Sequence, residues 1–148
     1  MAEGERAPRP VGLTRDVGWE IGVSRTVDAP VAAVWAWLTS APGQAVWLAP
    51  GVALPFESGT GAVFVGPSGA RAELRSVRRH DRIRLRWQPP GSPHASTVQV
   101  AVRPAPGGGG ERTMVRFHQE HLRSAAERED QRDRWRVVLD RLAAAVAG

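Results

Sequence analysis

The apolar residues of this chain change period once, and the change fixes most of what it can fold into. Between residues 52 and 122 they recur at every second position, as strands buried on one face require; after residue 124 they recur at every third and fourth, as a helix requires. Val52–Leu54 and Ala62–Val65 read as short strands around the turn 58–61. Arg71–Arg79 and Arg82–Gln88 form the next pair, joined at His80-Asp81. In the second of these, Ile83, Leu85 and Trp87 alternate with Arg82, Arg84 and Arg86. A slip of one residue would carry three guanidinium groups into the core, so the register is strongly specified. Ser96–Val102 places Val98, Val100 and Val102 on one face, 104–110 is a hairpin loop, and Thr113–Leu122 turns Val115 and Phe117 inward. Ser124-Ala-Ala-Glu127 is a capping box that opens a long helix, with Trp135, Val138, Leu139, Leu142 and Val146 as its core stripe. On its outer side, Asp130–Arg134 and Arg136–Asp140 are spaced as i,i+4 pairs.

Ahead of this block, residues 1–18 show no periodicity and read as a flexible tail, leaving 19–148 as a single domain. Trp19–Val27 alternates as a strand and runs into Asp28-Ala-Pro30, which predicts a helix capped at Asp28 or Ala29 with Pro30 in its first turn. Val31, Val34, Trp35 and Leu38 form one helical face. Pro42-Gly43 breaks that helix, and Gln44–Leu48 adds a further turn carrying Trp47 before Pro50-Gly51 stops it. The expected architecture is therefore α+β: a strand, one or two short helices, about five antiparallel strands and a long C-terminal helix. An antiparallel sheet with one apolar face must cover it, and the last helix is the only element long enough to do so. A curved sheet wrapped around that helix leaves a gap at the end the helix does not fill, and a gap lined by aromatic residues is a natural ligand site.

Composition narrows the function classes. There is no cysteine, which excludes disulfides, zinc ribbons, iron–sulfur clusters and thiol nucleophiles. The longest apolar run, Val31–Leu38, is too short to span a bilayer, and the first ten residues lack the apolar core of a secretory signal, so a cytoplasmic location with no membrane partner is the expectation. The net charge of +5 rests entirely on arginine. It is concentrated: residues 71–86 hold seven arginines against two acids. Such a patch can steer an anionic partner or can simply be a solvated sheet face. Trp87 alternates away from Arg84 and Arg86, and Phe64 and Phe117 point inward. The basic face thus lacks the stacking aromatics of a single-strand reader, and no nucleic acid is expected.

The order of these pieces resembles the START-like, or SRPBCC, helix-grip superfamily, and within it the branch of homologues of the activator of heat-shock protein 90 ATPase. The resemblance is carried by Val23-Ser-Arg-Thr-Val-Asp-Ala-Pro30 leading into Val34-Trp35, by Trp47-Leu-Ala-Pro-Gly51, by Arg82-Ile-Arg-Leu-Arg-Trp87 and by Trp135-Arg-Val-Val-Leu-Asp-Arg-Leu142, and it covers residues 19–147. It implies a helix-grip (START/Bet v-like) fold. The superfamily includes lipid carriers, polyketide cyclases, hormone receptors and chaperone regulators, so the fold leaves function open.

The leading expectation is a non-catalytic protein, needing no cofactor, that binds a small apolar or amphipathic molecule between the sheet and the long helix. Trp35, Trp87 and Trp135 sit on inward faces, with Phe64, Leu74, Leu85, Val100 and Phe117 beside them as apolar wall. Trp47, at the short second helix, is a candidate gate or pocket wall. Gln119 and His121 share the face of Val115 and Phe117, and either orient a ligand or bond at the sheet's edge. The second expectation is an interaction module of the chaperone-regulator kind, with the outer face of Arg82, Arg84 and Arg86 and the helix over 124–147 docking a protein partner. The third is a cyclase-like enzyme using His121, which lacks an evident carboxylate to orient it. His118-Gln-Glu-His121 invites a metal reading, but residues three apart on a strand face opposite ways unless a bulge intervenes. The chain is expected to be a monomer or a weak homodimer.

Overall fold

The computed structural model describes residues 12–14, 18–66, 68–106 and 111–147. Seven strands form one antiparallel sheet: β1 (Leu13–Thr14), β2 (Gly18–Val27), β3 (Val63–Val65), β4 (Arg71–Arg78), β5 (Arg82–Gln88), β6 (Ser96–Pro104) and β7 (Thr113–Leu122). Their order across the sheet is β1-β2-β7-β6-β5-β4-β3, so the only neighbours that are not consecutive in the chain are β2 and β7. Two short helices, α1 (Val31–Thr39) and α2 (Ala41–Trp47), fill the connection from β2 to β3. The long helix α3 (Ala125–Val146) lies against β2 and β7 and also meets α1 and α2.

The alternation read from the sequence sets the inner face. One row across the sheet is Leu74, Leu85, Val98, Gln119 and Ile21; the next is Val77, Ile83, Val100, Phe117 and Val23. Leu74, Leu85, Val98, Ile83 and Phe117 are wholly buried. Each such aliphatic or aromatic side chain stabilises the fold by roughly 1.5–3 kcal/mol relative to exposure. Arg82, Arg84 and Arg86 take the outer face as expected. Two register shifts, at Leu74/Ser76 in β4 and opposite Trp19/Ile21 in β7, insert extra residues, and such bulges bend a strand locally. From α3, Trp135, Val138, Leu139 and Leu142 enter the core, while Val146 packs at its margin.

Several local expectations are corrected. Gly12–Thr14 lies inside the expected tail, yet β1 pairs with the start of β2 and the Gly12 carbonyl accepts from Glu20 N–H. Residues 1–11 lie outside the described residues. Helix α1 starts one residue late: Pro30 is its N-cap, with extended ψ and no capping side chain, because Asp28 instead bonds Arg112 Nε at 3.2 Å. Pro42-Gly43 opens α2 as well as ending α1. Ser40 caps it by accepting from Gly43 N–H at 3.1 Å, and proline is tolerated in a first helical turn. Gly43 is required there, since a Cβ would fall 1.7 Å from the Trp37 carbonyl oxygen.

Val52–Leu54 is not a strand. Val52 and Leu54 are buried as alternation predicts, but the backbone is held by local and side-chain bonds: Leu54 N–H donates to Gln44 Oε1 at 2.7 Å. At the head of α3, Ser124 Oγ accepts from Glu127 N–H at 3.0 Å, so one half of the capping box forms. The Glu127 carboxylate instead faces His94 Nε2 at 3.2 Å. The two i,i+4 pairs expected on α3 give way to longer-range partners. Arg134 Nη2 donates to the Trp47 and Leu48 carbonyls at 3.2 and 2.7 Å, and Asp140 pairs with Arg25 of β2.

Candidate functional site

Beneath α3 the expected pocket wall is an aromatic layer. Phe117 and Trp135 stack with centroids 4.4 Å apart and rings 10° from parallel, and Trp47 tilts onto Phe117 at 5.9 Å. All three side chains are essentially unexposed. Trp47 Nε1 donates to the Leu38 carbonyl at 2.9 Å, locking α2 to α1. Trp47 is therefore a packing residue of the interior, and the gate role expected for it has no geometric support.

Gln119 is inward and buried, as the alternation requires, and both ends of its amide are engaged. Its Nε2 donates to Ser96 Oγ at 2.8 Å and its Oε1 accepts from Trp135 Nε1 at 2.9 Å. This amide bridges β6, β7 and α3, and a buried polar group so satisfied is structural glue.

His121 does not share that face. Ile21 opposes Gln119 and Trp19 opposes Leu122, so one residue of β2, Glu20, faces two of β7, Glu120 and His121. His121 adopts a left-handed φ of 64° at this bulge and is exposed, and Leu122 takes the inward position. The catalytic role considered for His121 fails with its orientation. His118 lies on the outer face, with Nε2 and Nδ1 each 3.5 Å from a carboxylate oxygen, of Glu20 and Glu120 respectively. Although the bulge exists, no group of three or more His, Asp or Glu among the described residues is arranged to hold a metal.

Of the remaining wall residues, Leu74, Leu85, Trp87 and Val100 are core, and Phe64 packs half-buried on its edge. Trp35 differs. It borders a cleft of about 760 Å³ between α1, the 54–57 segment and the tip of the β4–β5 hairpin. Ala32, Ala36, Leu54, Phe56 and Val77 supply the apolar surface, and Glu57, Arg79 and His80 the polar rim. The His80 ring meets Trp35 edge-on at 6.0 Å, and the Trp35 indole N–H has no hydrogen-bond partner among the described residues. His80 reaches this position because it occupies the left-handed residue of the hairpin turn, φ 61°.

Two further side chains, Gln44 and Arg134, tie neighbouring elements together through bonds that the sequence pattern does not foretell. Gln44 is buried; it donates to the Thr39 carbonyl at 2.9 Å and receives Leu54 N–H, tying the 52–55 segment to α1. A lone Gln inside a short helix carries no sequence signal for this. Arg134 caps the C-terminal end of α2 and lies over the Trp135 ring at 5.0 Å; burial lowers its pKa from the ordinary arginine value. The outer arginines diverge as well: Arg84 bonds Glu120 at 3.3 Å and Gln99 at 3.4 Å, while Arg82 and Arg86 stay exposed.

The sequence profile of the family described as Activator of Hsp90 ATPase homolog 1-like protein matches residues 28–147. The chain belongs to the AHSA1-like family. Its helix-grip fold is shared with DynU16, encoded in the dynemicin biosynthetic locus, at 24% identity and a TM-score of 0.67, covering 84% of this chain and 46% of that one. It is shared with CalU16 from Micromonospora echinospora at 20% identity and a TM-score of 0.63, covering 85% and 74%. It is also shared with the Aha1 protein from Colwellia psychrerythraea, solved as a dimer, at 14% identity and a TM-score of 0.63, covering 86% and 95%. This AHSA1-like chain thus spans under half of DynU16. No curated protein sequence matches it. Among the described residues, no helix is long and apolar enough to cross a membrane.

Proposed function

We propose that this AHSA1-like chain binds a small amphipathic molecule in the cleft beside α1, with the apolar part of the ligand against Trp35, Phe56 and Val77 and its polar end toward Arg79 and His80. The observation that carries the reading is Trp35: a large aromatic wall in an open cleft, with an unpartnered N–H. The cleft's volume of about 760 Å³ suits a small organic ligand. The aromatic layer beneath α3, where a ligand was first expected, is occupied by Trp47, Phe117 and Trp135. Binding is favoured over turnover because, among the described residues, Thr39 at the cleft bonds only backbone carbonyls, and no nucleophile there is paired with a histidine or carboxylate.

The probe that tests this is 1-anilinonaphthalene-8-sulfonate, followed by its own emission and by tryptophan quenching. The natural chain is expected to bind it saturably. Trp35→Phe is expected to weaken binding about threefold to tenfold, because the smaller ring and the lost N–H remove about 1 kcal/mol of contact. Ala36→Trp, which fills the cleft, is expected to abolish it. Unchanged binding by Ala36→Trp would overturn the assignment.

The docking of a protein partner on Arg82, Arg84 and Arg86 is a weaker second reading. It rests on the exposure of Arg82 and Arg86 alone, since Arg84 already has an acidic partner.

A further inference from the structure

The outer face of the β4–β5 hairpin holds a second concavity, separate from the Trp35 cleft. It measures about 560 Å³, and its walls include Arg71, Glu73, Arg86 and Gln88 from the sheet and Pro93 and His94 from the loop between β5 and β6. We propose that it is a binding site for an oxyanion, the phosphate or carboxylate group of a small molecule, gripped by Arg71 and Arg86.

The strand register supplies the grip. Arg71 stands opposite Gln88 and Glu73 opposite Arg86, so the two arginines are diagonal neighbours on one face. Diagonal neighbours lie roughly 7–8 Å apart, with Cβ atoms somewhat closer, a spacing that two guanidinium groups can close onto one anion. Each guanidinium presents a planar fork that matches a carboxylate or phosphate edge.

Neither guanidinium has an ion-pair or hydrogen-bond partner among the described residues. The one carboxylate in the wall, Glu73, is engaged along its own strand by Arg75 Nε at 3.2 Å. Arg82 and Arg116 of the same sheet are also without a partner among the described residues but do not line the concavity, whereas others are neutralised. Arg84 is bonded to Glu120, and Arg103 to Asp81 at 2.8 Å. Two guanidinium groups without an ion pair, beside a carboxylate already engaged by Arg75, leave positive charge in a concave polar site that an anion would complete.

The loop wall is built in advance of any ligand. Gln88 Nε2 donates to the Ser92 carbonyl at 2.7 Å, and Ser92 Oγ to the His94 carbonyl at 3.0 Å. Ser92 N–H closes a turn on Pro89 at 3.1 Å, with Gly91 at a φ of 75°. His94 Nε2, facing Glu127, pins the loop to the first turn of α3, whereas its Nδ1 is buried without a partner.

The test is a titration of the full chain with inorganic pyrophosphate and, separately, with citrate, following the Arg Nε–Hε resonances by NMR. Saturable shifts confined to Arg71 and Arg86 are expected. Arg71→Gln and Arg86→Gln are each expected to weaken binding about tenfold, while Arg103→Gln leaves it unchanged. Tighter pyrophosphate binding assigns a phosphorylated ligand; tighter citrate binding assigns a carboxylate ligand. Absence of saturable shifts at the two arginines overturns the proposal. So does an equal loss in Arg103→Gln, which would mean only diffuse attraction to a basic surface. Because Ala36→Trp lies in the other cleft, it is expected to leave pyrophosphate binding intact, so this site and the Trp35 site fail or stand separately.

Discussion

Two aromatic regions of this molecule look alike in the sequence and differ in the structure. Beneath α3, the indole N–H groups of Trp47 and Trp135 are both bonded, one to the Leu38 carbonyl and the other to Gln119. Beside α1, Trp35 is nearly as buried but its N–H has no acceptor among the described residues, and its ring borders open space. Burial alone therefore does not separate core from wall. Among these three indoles the difference lies in the polar atom and the space beside it: a donor satisfied inside the protein holds its ring in place, whereas a free donor on a ring that borders a cleft is available to something else.

The largest test of this contrast is Trp135→Ala. Removing an aromatic ring from a stacked, closed layer is expected to cost about 3–5 kcal/mol, read as a fall in the urea midpoint. Where that variant does not fold, Trp135→Phe keeps the comparison, and its affinity for 1-anilinonaphthalene-8-sulfonate should match the natural chain. A matching loss of affinity would mean that the two regions form one site. The next effect comes from the amide bridge. Gln119→Leu leaves Ser96 Oγ and Trp135 Nε1 without partners and is expected to cost about 2 kcal/mol. Combined with Trp135→Phe, which removes the orphaned donor, part of that cost should be recovered, giving a coupling of about 1 kcal/mol in a double-mutant cycle.

Arg134 gives a smaller effect. Arg134→Ala frees the Trp47 and Leu48 carbonyls and is expected to destabilise by about 1–2 kcal/mol in urea unfolding. The lowered pKa of its guanidinium has a definite sign. Burial opposes the charged form in the fold, so the charge carries a desolvation penalty at every pH below its folded pKa, and part of the cost of losing the bonds is offset. Arg134→Met, which keeps the stem and drops the charge, is expected to lose less than Arg134→Ala.

Legibility followed the strength of the local constraint. The register of β5 could be read because an error would bury Arg82, Arg84 and Arg86, and the stripe of α3 because four of its residues can meet the core in only one rotation. Tertiary partners overrode weaker signals. Asp28 looks like a cap but pairs with Arg112, and Val52–Leu54 alternates like a strand but is held by Gln44. The site was partly legible. Trp35 was named from its helical face, whereas Phe56, Val77 and His80 converge on it only through the fold. The face of His121 was unreadable because a single inserted residue reverses the alternation, and nothing in His118-Gln-Glu-His121 marks where the insertion falls.

The two left-handed histidines bring the comparison to its finest scale. His80 and His121 have nearly the same φ, 61° and 64°, but only His80 touches an aromatic wall. Glycine relieves roughly 1–2 kcal/mol of left-handed strain and costs roughly 0.5–1 kcal/mol of added chain entropy. His121→Gly is thus expected to stabilise the fold by about 0.5 kcal/mol and to leave probe binding untouched, whereas His121→Val should destabilise it, because a β-branched residue fits a positive φ poorly. His80→Gly gains the same backbone relief but forfeits the edge contact with Trp35, so its stability should change little while probe affinity falls. Equal binding by the two glycine variants would show that the hairpin tip is not part of the cleft's recognition surface, and would confine the site to α1 and the 54–57 segment.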